Sequence, residues 1–227
     1  VPIRAAARAG HAALHICHAA PRDLNSPELS TAELVDRLKT ANVETFVTSR
    51  VHSPEAVAFV RSLGADLGIL YGARILKPEL FEIPRLGSIN IHQRKVPDYR
   101  GGGPIGLWEL LDDQQEIGVT IHRVTAALDA GAIVASATIP IEPFDDLVSL
   151  GLKADVVGDD LLVQAVRDVA AGTVRDRVQG EGGALYRTPA PEALRRMERT
   201  LRRRRPPFVP RHQWPRWKLM AHVVVFG

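Results

Sequence analysis

Apolar residues fall in short bounded runs, separated by polar stretches with helical spacing. Ala12–Cys17 (AALHIC) reads as a short buried strand, after an Ile3–Ala9 stretch whose alanines and arginines read as the end of a helix. Ser30 with Glu33 three residues on is a helix-start signal, and Leu34, Val35 and Leu38 give that helix an apolar face. Val43–Val47 reads as the next strand. Ser53-Pro54-Glu55 opens a second helix that stops at Gly64, with Val57, Val60 and Leu63 on one side. Asp66–Leu70 and Ser88–Ile91 read as strands, and Gly103-Pro104 precedes a helix through Leu111. Gly118–Val124 and Ala132–Ile139 alternate as strands joined by a Gly-containing connection, so an antiparallel section is expected there. Asp145–Ala171 is a long helical stretch with Leu147, Leu150, Leu161, Leu162 and Val166 as candidate core contacts. Alternation of strands and helices predicts an α/β fold: a doubly wound, mostly parallel sheet with helices on both faces.

Composition adds boundaries. The 227 residues suffice for one ordinary domain with an extension. Gly172–Pro191, rich in Gly, Pro and charge, reads as a boundary, so the chain divides into a catalytic domain over 1–175 and an Arg/Pro-rich extension over 176–227. Residues 194–218 hold ten Lys or Arg against Glu198, a net +9, which leaves the rest at −6 (+3 minus +9). The basicity is therefore a property of the tail, and the body gives no general case for nucleic-acid binding. The tail reads as a surface helix up to Arg205, broken by Pro206-Pro207. No run approaches the roughly 18 apolar residues needed to cross a bilayer, and Val1–Gly10 lacks the pattern of a secretory signal. The single Cys17 makes no internal disulfide, so a cytoplasmic location is expected.

Three features carry candidate chemistry. Asn90-Ile91-His92 ends a strand, and alternation puts Asn90 and His92 on the same face. Open α/β sheets hold their active sites at the carboxyl ends of strands. Pro97–Pro104 (PDYRGGGP) is a turn-rich loop running into a helix, and Leu128-Asp129-Ala130-Gly131 is a tight turn bearing a carboxylate.

The run from Ser88 to Val134, SINIHQRKVPDYRGGGPIGLWELLDDQQEIGVTIHRVTAALDAGAIV, resembles the core signature of the 10-formyltetrahydrofolate formyltransferases. That family includes the glycinamide ribonucleotide, methionyl-tRNA and amino-sugar enzymes. LYGARILKPELFEIPRLG upstream and IPIEPFDDLVSLGLKA downstream extend the resemblance over Ala12 to Gly172. It implies a Rossmann-like enzyme that takes 10-formyltetrahydrofolate as co-substrate and uses no metal. The family's catalytic residues fall on Asn90, His92 and Asp129. The pterin pocket falls on Leu70, Tyr71, Gly72, Ile75 and Leu76, with Ala126, Leu128 and Gly131 across from them. The chemistry suits these residue types. Formyl transfer to an amine develops an oxyanion that the Asn90 amide can meet. Asp129 can relay protons and favour a charged His92.

Each residue also has a plainer reading. Asn-x-His at a strand end is more often structural, Asp129 suits a turn, and Gly101–Gly103 permit a sharp reversal or offer N–H groups to an anion. His11, His15 and His18 invite a metal reading, but 15 and 18 fall in or beside a strand. His122 reads as a packed histidine, and Tyr71 and Trp108 as core or pocket wall.

The chain departs from the resemblance after the histidine, where many members have Pro-Ser and this sequence has Gln93-Arg94, then Lys95. Arg94 and Lys95 beside the site suit a phosphate-bearing acceptor. Members begin with an inner strand, whereas this chain starts within what should be the first helix, so that strand is expected to be missing. The expected acceptor is a small phosphate-bearing amine, first a nucleotide-linked amino sugar. Glycinamide ribonucleotide, hydrolysis of the donor, and a non-catalytic folate- or nucleotide-binding module are the alternatives. A tRNA partner is set aside because the 55 residues after Gly172 do not read as a β-barrel. Oligomeric state stays open, a homodimer included.

Overall fold

The computed structural model describes residues 31–204. The expected strand Ala12–Cys17, the Ser30 cap, His11, His15, His18, Cys17 and Pro206-Pro207 lie outside the described residues.

Helix α1 (Thr31–Thr40) buries Leu38 and ends where Asn42 takes a left-handed turn. Helix α2 (Pro54–Ser62) starts on Ser53, whose hydroxyl accepts from the Ala56 N–H at 3.3 Å, and it buries Ala56 and Val60. Strand β1 (Gly68–Tyr71) follows, then the single turn α3 (Pro78–Phe81) and β2 (Ser88–His92). Strand β3 (Tyr99–Gly101), helix α4 (Leu107–Leu111), β4 (Glu116–Arg123) and β5 (Ile133–Pro140) come next. The long helix α5 (Leu147–Ala171), strand β6 (Ala184–Tyr186) and helix α6 (Pro191–Arg204) complete the order.

The main sheet runs β1-β2-β4-β5. The α/β crossover places β1 parallel to β2, with Gly68 beside Ser88. Strand β4 is antiparallel to both of its neighbours, β2 and β5, and its pairing with β5 is the section expected from the alternating runs at 118–139. Helix α5 covers the β4 and β5 face. Ile89, Ile91, Val119 and Ile121 from the sheet meet Leu150, Ala154, Leu162 and Ala165 from α5 in one buried cluster. Gly158 lets the helix approach so closely that a Cβ there would press on Ile91 Cδ1. The helix is fixed at its start by a reciprocal cap between Asp146 and Ser149, and at its end by the left-handed Gly172. In the acidic turn before it, Asp145 is buried and accepts from Lys153 Nζ at 2.6 Å.

Three elements differ from expectation. Val43–Val47 carries no ladder pairing among the described residues; Val43 packs inward while Val47 is half exposed. The helix expected from Gly103-Pro104 begins at Leu107, because Gly106 is left-handed and α4 cannot extend through it. The Gly172–Pro191 stretch, expected as a boundary, folds back on the sheet. Its Arg177 exchanges backbone hydrogen bonds with Ile133 (2.7 and 2.9 Å), and β6 pairs in parallel with β3. Tyr186 stacks between Tyr99 and Trp108, with ring centroids 5.4 and 4.8 Å away. Helix α6 then packs Met197 inward and lays Arg196 against the Leu111 carbonyl at 3.2 Å.

Candidate active site

Strand β2 ends at His92, and the chain leaves it through the Pro97–Pro104 loop. Strand β4 runs antiparallel beside it, pairing Asn90 with His122. The turn between β4 and β5 carries Asp129 back over that same end. The sequence-expected residues Asn90, His92 and Asp129 thus line one cavity of about 470 Å³. Gly72, Ile75 and Leu128 of the expected pterin pocket line it too, with Arg74, Tyr186 and Arg187.

The other expected pocket residues are placed elsewhere. Leu70 and Tyr71 lie in β1, and the Tyr71 hydroxyl reaches Asp155 Oδ1 at 3.4 Å. Leu76 packs against the Val51, Val60 and Leu80 cluster. Ala126 is exposed on the connecting loop. Gly131 is buried because its backbone lies on the Arg123 carbonyl, where a Cβ would collide. Trp108, expected as core or pocket wall, does not line the cavity itself; it stacks on Tyr186 and donates Nε1–H to the Gly102 carbonyl at 2.9 Å.

Asp129 is the hub. Its Oδ2 accepts from the Gly101 N–H at 2.8 Å and lies 3.7 Å from His92 Nδ1. Its Oδ1 lies 3.5 Å from His122 Nε2. Burial works to raise the Asp129 pKa, but His122, His92 and the Gly101 N–H more than offset it, so the carboxyl is held below its ordinary value. The residue itself is left-handed, with φ 49°.

His92 Nε2 lies 2.7 Å from the Tyr99 carbonyl and must donate to it, which leaves Nδ1 as the open nitrogen facing Asp129. Asp129 draws the His92 pKa up, as expected, but does not decide the balance. The imidazole is nine-tenths buried, and that burial pushes its pKa down by more than the Asp129 charge raises it. The resting ring is therefore neutral at pH 7. His122 Nδ1 lies 2.8 Å from the Arg123 carbonyl, so its Nε2 accepts from the Asn90 amide at 3.1 Å. His122, expected as a packed, hydrogen-bonded histidine, orients the Asn90 amide and leaves its second N–H open.

Arg94 and Lys95 do not face the cavity as expected of acceptor-binding residues. Arg94 is only 2% exposed, and its Nη2 donates to the Gly103 and Pro104 carbonyls at 2.7 and 2.6 Å. Those two carbonyls hold the guanidinium inside the protein, where Glu109 is also buried. Lys95 sits outside, within 3.6 and 3.8 Å of Asp98 and Glu116. Sequence reasoning reached the Gly101 N–H only as a donor to an anion, and missed Gln179 and Arg187. The glycine run signals the first; a stretch without periodicity hides the other two.

Among the described residues no group of three or more His, Cys, Asp or Glu is placed to hold a metal ion. Among them too, no helix is long and apolar enough to cross a membrane.

Comparison with known proteins bears on the same residues. A methionyl-tRNA formyltransferase of Solibacter usitatus is 31% identical over 184 residues, 80% of this chain and 59% of that protein. The corresponding Synechocystis enzyme is 34% identical over 134 residues, 58% of this chain and 40% of its own length. The chain thus spans about half the length of the curated relatives it matches. These relatives overturn the expectation that set tRNA aside. That expectation rested on the composition of the last 55 residues, which cannot speak for relatives this chain matches over only part of their length. Two solved structures share the fold. Glycinamide ribonucleotide transformylase 1 from Symbiobacterium toebii has a TM-score of 0.61 at 22% identity, covering 79% of this chain and 87% of that one. The formyltransferase PseJ from Anoxybacillus kamchatkensis, in complex with UDP-4,6-dideoxy-4-formamido-L-AltNAc and tetrahydrofolate, has a TM-score of 0.57 at 23% identity, covering 77% and 84%. The sheet end that gathers Asn90, His92 and Asp129 lies within residues 7–166, the span matched by the family model described as formyl transferase, and the chain belongs to that family.

Proposed function

We propose that this chain transfers the formyl group of 10-formyltetrahydrofolate to a primary amine. The observation that carries the reading is the convergence of an oriented amide, a neutral imidazole and an ionised carboxylate on one cavity wall. The amine nitrogen attacks the formyl carbon and a new C–N bond forms. The second N–H of Asn90 meets the oxygen as it becomes negative, a role worth about 3–4 kcal/mol of barrier. The proton leaving the amine passes to His92 Nδ1, and Asp129 at 3.7 Å pairs with the imidazolium so formed. The bond from the formyl carbon to the folate nitrogen breaks as that nitrogen takes a proton back. The apolar side chains of Ile75 and Leu128 suit the flat pterin.

For the acceptor we put the methionyl amine of charged initiator tRNA first, on the strength of the curated relatives. A nucleotide-linked amino sugar, expected first from the sequence, loses the support of Arg94, which is buried. A cytoplasmic location goes with this reading. The test mixes the protein and 10-formyltetrahydrofolate with charged initiator tRNA, amino-sugar nucleotides, glycinamide ribonucleotide or no acceptor, and follows tetrahydrofolate release. Formylation of methionyl-tRNA above every other amine supports the reading. Faster turnover on a sugar nucleotide would replace the acceptor, and release without any acceptor would make the chain a hydrolase. No release with donor bound would refute transfer altogether.

A further inference from the structure

Asp129 sits in a left-handed conformation that side chains rarely adopt. Within the turn, support is slight: the Ala130 N–H reaches the Ala127 carbonyl only at 3.4 Å. The strong contacts come from outside it. Gln179 Nε2 donates to the Asp129 carbonyl at 2.8 Å and to the Gly131 carbonyl at 2.7 Å. Two carbonyl neighbours fix which end of the amide faces them, since only the N–H end can donate. Gln179 is brought there by the Ile133–Arg177 bridge, and it lies beyond the 7–166 span of the family model.

We propose that Gln179 is a positioning residue for the Asp129 carboxylate. It clamps the backbone on both sides of the left-handed residue, which keeps Oδ2 on the Gly101 N–H and beside His92 Nδ1. Without the clamp the turn relaxes and the carboxylate swings off His92. The importance of this for turnover rests on the role proposed above for Asp129. The placement itself is readable without turnover.

The test compares the full chain with Gln179→Met, which keeps the volume and removes both donors, and Gln179→Glu, which sets a carboxylate against two carbonyls. The first readout is the titration of the His92 imidazole by NMR. Asp129 raises the His92 pKa, so moving the carboxylate away must lower its midpoint in Gln179→Met. The second is kinetic. We expect kcat to fall about ten- to hundredfold, the scale of a small misplacement of a reacting group, with KM for 10-formyltetrahydrofolate within about twofold. Gln179→Glu is expected to be slower still at neutral pH and to recover toward Gln179→Met as its carboxyl protonates. Should Gln179→Met fail to fold, Gln179→Asn, whose amide falls one methylene short of the carbonyls, is read the same way. A lowered His92 midpoint upholds the placement even if the wild type turns over no substrate, which separates this failure from that of the proposed reaction. An unchanged midpoint overturns it, whatever happens to stability or kcat.

Discussion

The backbone N–H of Gly101 donates to Asp129 Oδ2 at 2.8 Å, joining the loop after β2 to the turn before β5 across the mouth of the cavity. Neither residue could do this with an ordinary neighbour in its place. Gly101 has φ 91° and lies so close to β6 that a Cβ would run into the Tyr186 carbonyl. Gly101→Ala is therefore expected to lose at least the left-handed penalty of about 1–2 kcal/mol and to separate β3 from β6. Gly102, one residue on, has open space where its Cβ would be, so Gly102→Ala is expected to melt within about 0.5 kcal/mol of wild type. Paired melting curves of the two variants check this; equal destabilisation would contradict it.

Asn90→Ala, His92→Ala and Asp129→Ala are each expected to lower turnover by about two or more orders of magnitude while folding is retained. Circular dichroism and the tetrahydrofolate-release assay together make the measurement. A folded His92→Ala variant with near-normal turnover would remove the imidazole from the mechanism.

Acid should weaken the protein through His92 before it does so through Asp129. The His92 pKa is held below its usual 6.5 by burial, so below that value the unfolded chain binds the proton more readily. Stability from this group is full above 6.5 and is lost as pH falls toward the lowered value. The Asp129 pKa is held below 3.8, so its contribution is present above 3.8 and is lost only as pH falls through the lowered value. Between about pH 7 and pH 5 only His92 of the two is titrating. The melting temperature should drop over that window, and by less in His92→Gln. The acid limb of kcat/KM should be centred below 6.5, because the proposed mechanism works through the neutral ring; a limb centred above 6.5 would reverse the assignment.

Arg94 and Glu109 are 2% and 1% exposed, and both Glu109 carboxylate oxygens lack a hydrogen-bond partner among the described residues. Burial raises the Glu109 pKa while the Arg94 charge draws it down. Removing the cation alone should therefore leave an uncompensated buried acid as well as a loosened Gly103–Pro104 loop. Arg94→Met is expected to cost at least about 1.5–3 kcal/mol through the hydrogen bonds of a charged group that it removes, and Glu109→Leu in the same chain to restore part of it. Chemical denaturation of the two single variants and the double variant gives the coupling; strictly additive effects would show that the two charges do not sense each other.

The residues most legible in the sequence were those whose neighbours lie a few positions away. Asn90 and His92 share a face because a strand alternates. Gly172 ends α5 because it alone takes the left-handed cap, and the antiparallel β4–β5 pair follows from two alternating runs. Arg94 was misread because charge suggests a surface, and nothing local reveals that two backbone carbonyls and a buried acid await it. Val43–Val47 has strand composition without a ladder partner among the described residues, which composition cannot supply. Composition marks 172–191 as a boundary, yet a three-residue strand, the Arg177 bridge and one glutamine amide hold it to the sheet and the site. Contacts so few leave no period to detect.

The parallel pairing of β3 with β6 also imposes an order in time. A growing polypeptide that has folded everything through α5 already possesses Asn90, His92 and Asp129, but not the strand that pins Gly101 or the stacked ring of Tyr186. On the proposed mechanism the reactive groups are then present without the contacts that align them, and alignment is expected only once Ala184–Tyr186 have left the ribosome and add their rung beside Tyr99–Gly101. A nascent chain halted just after the long helix should look native in its hydrophobic interior and still be inert.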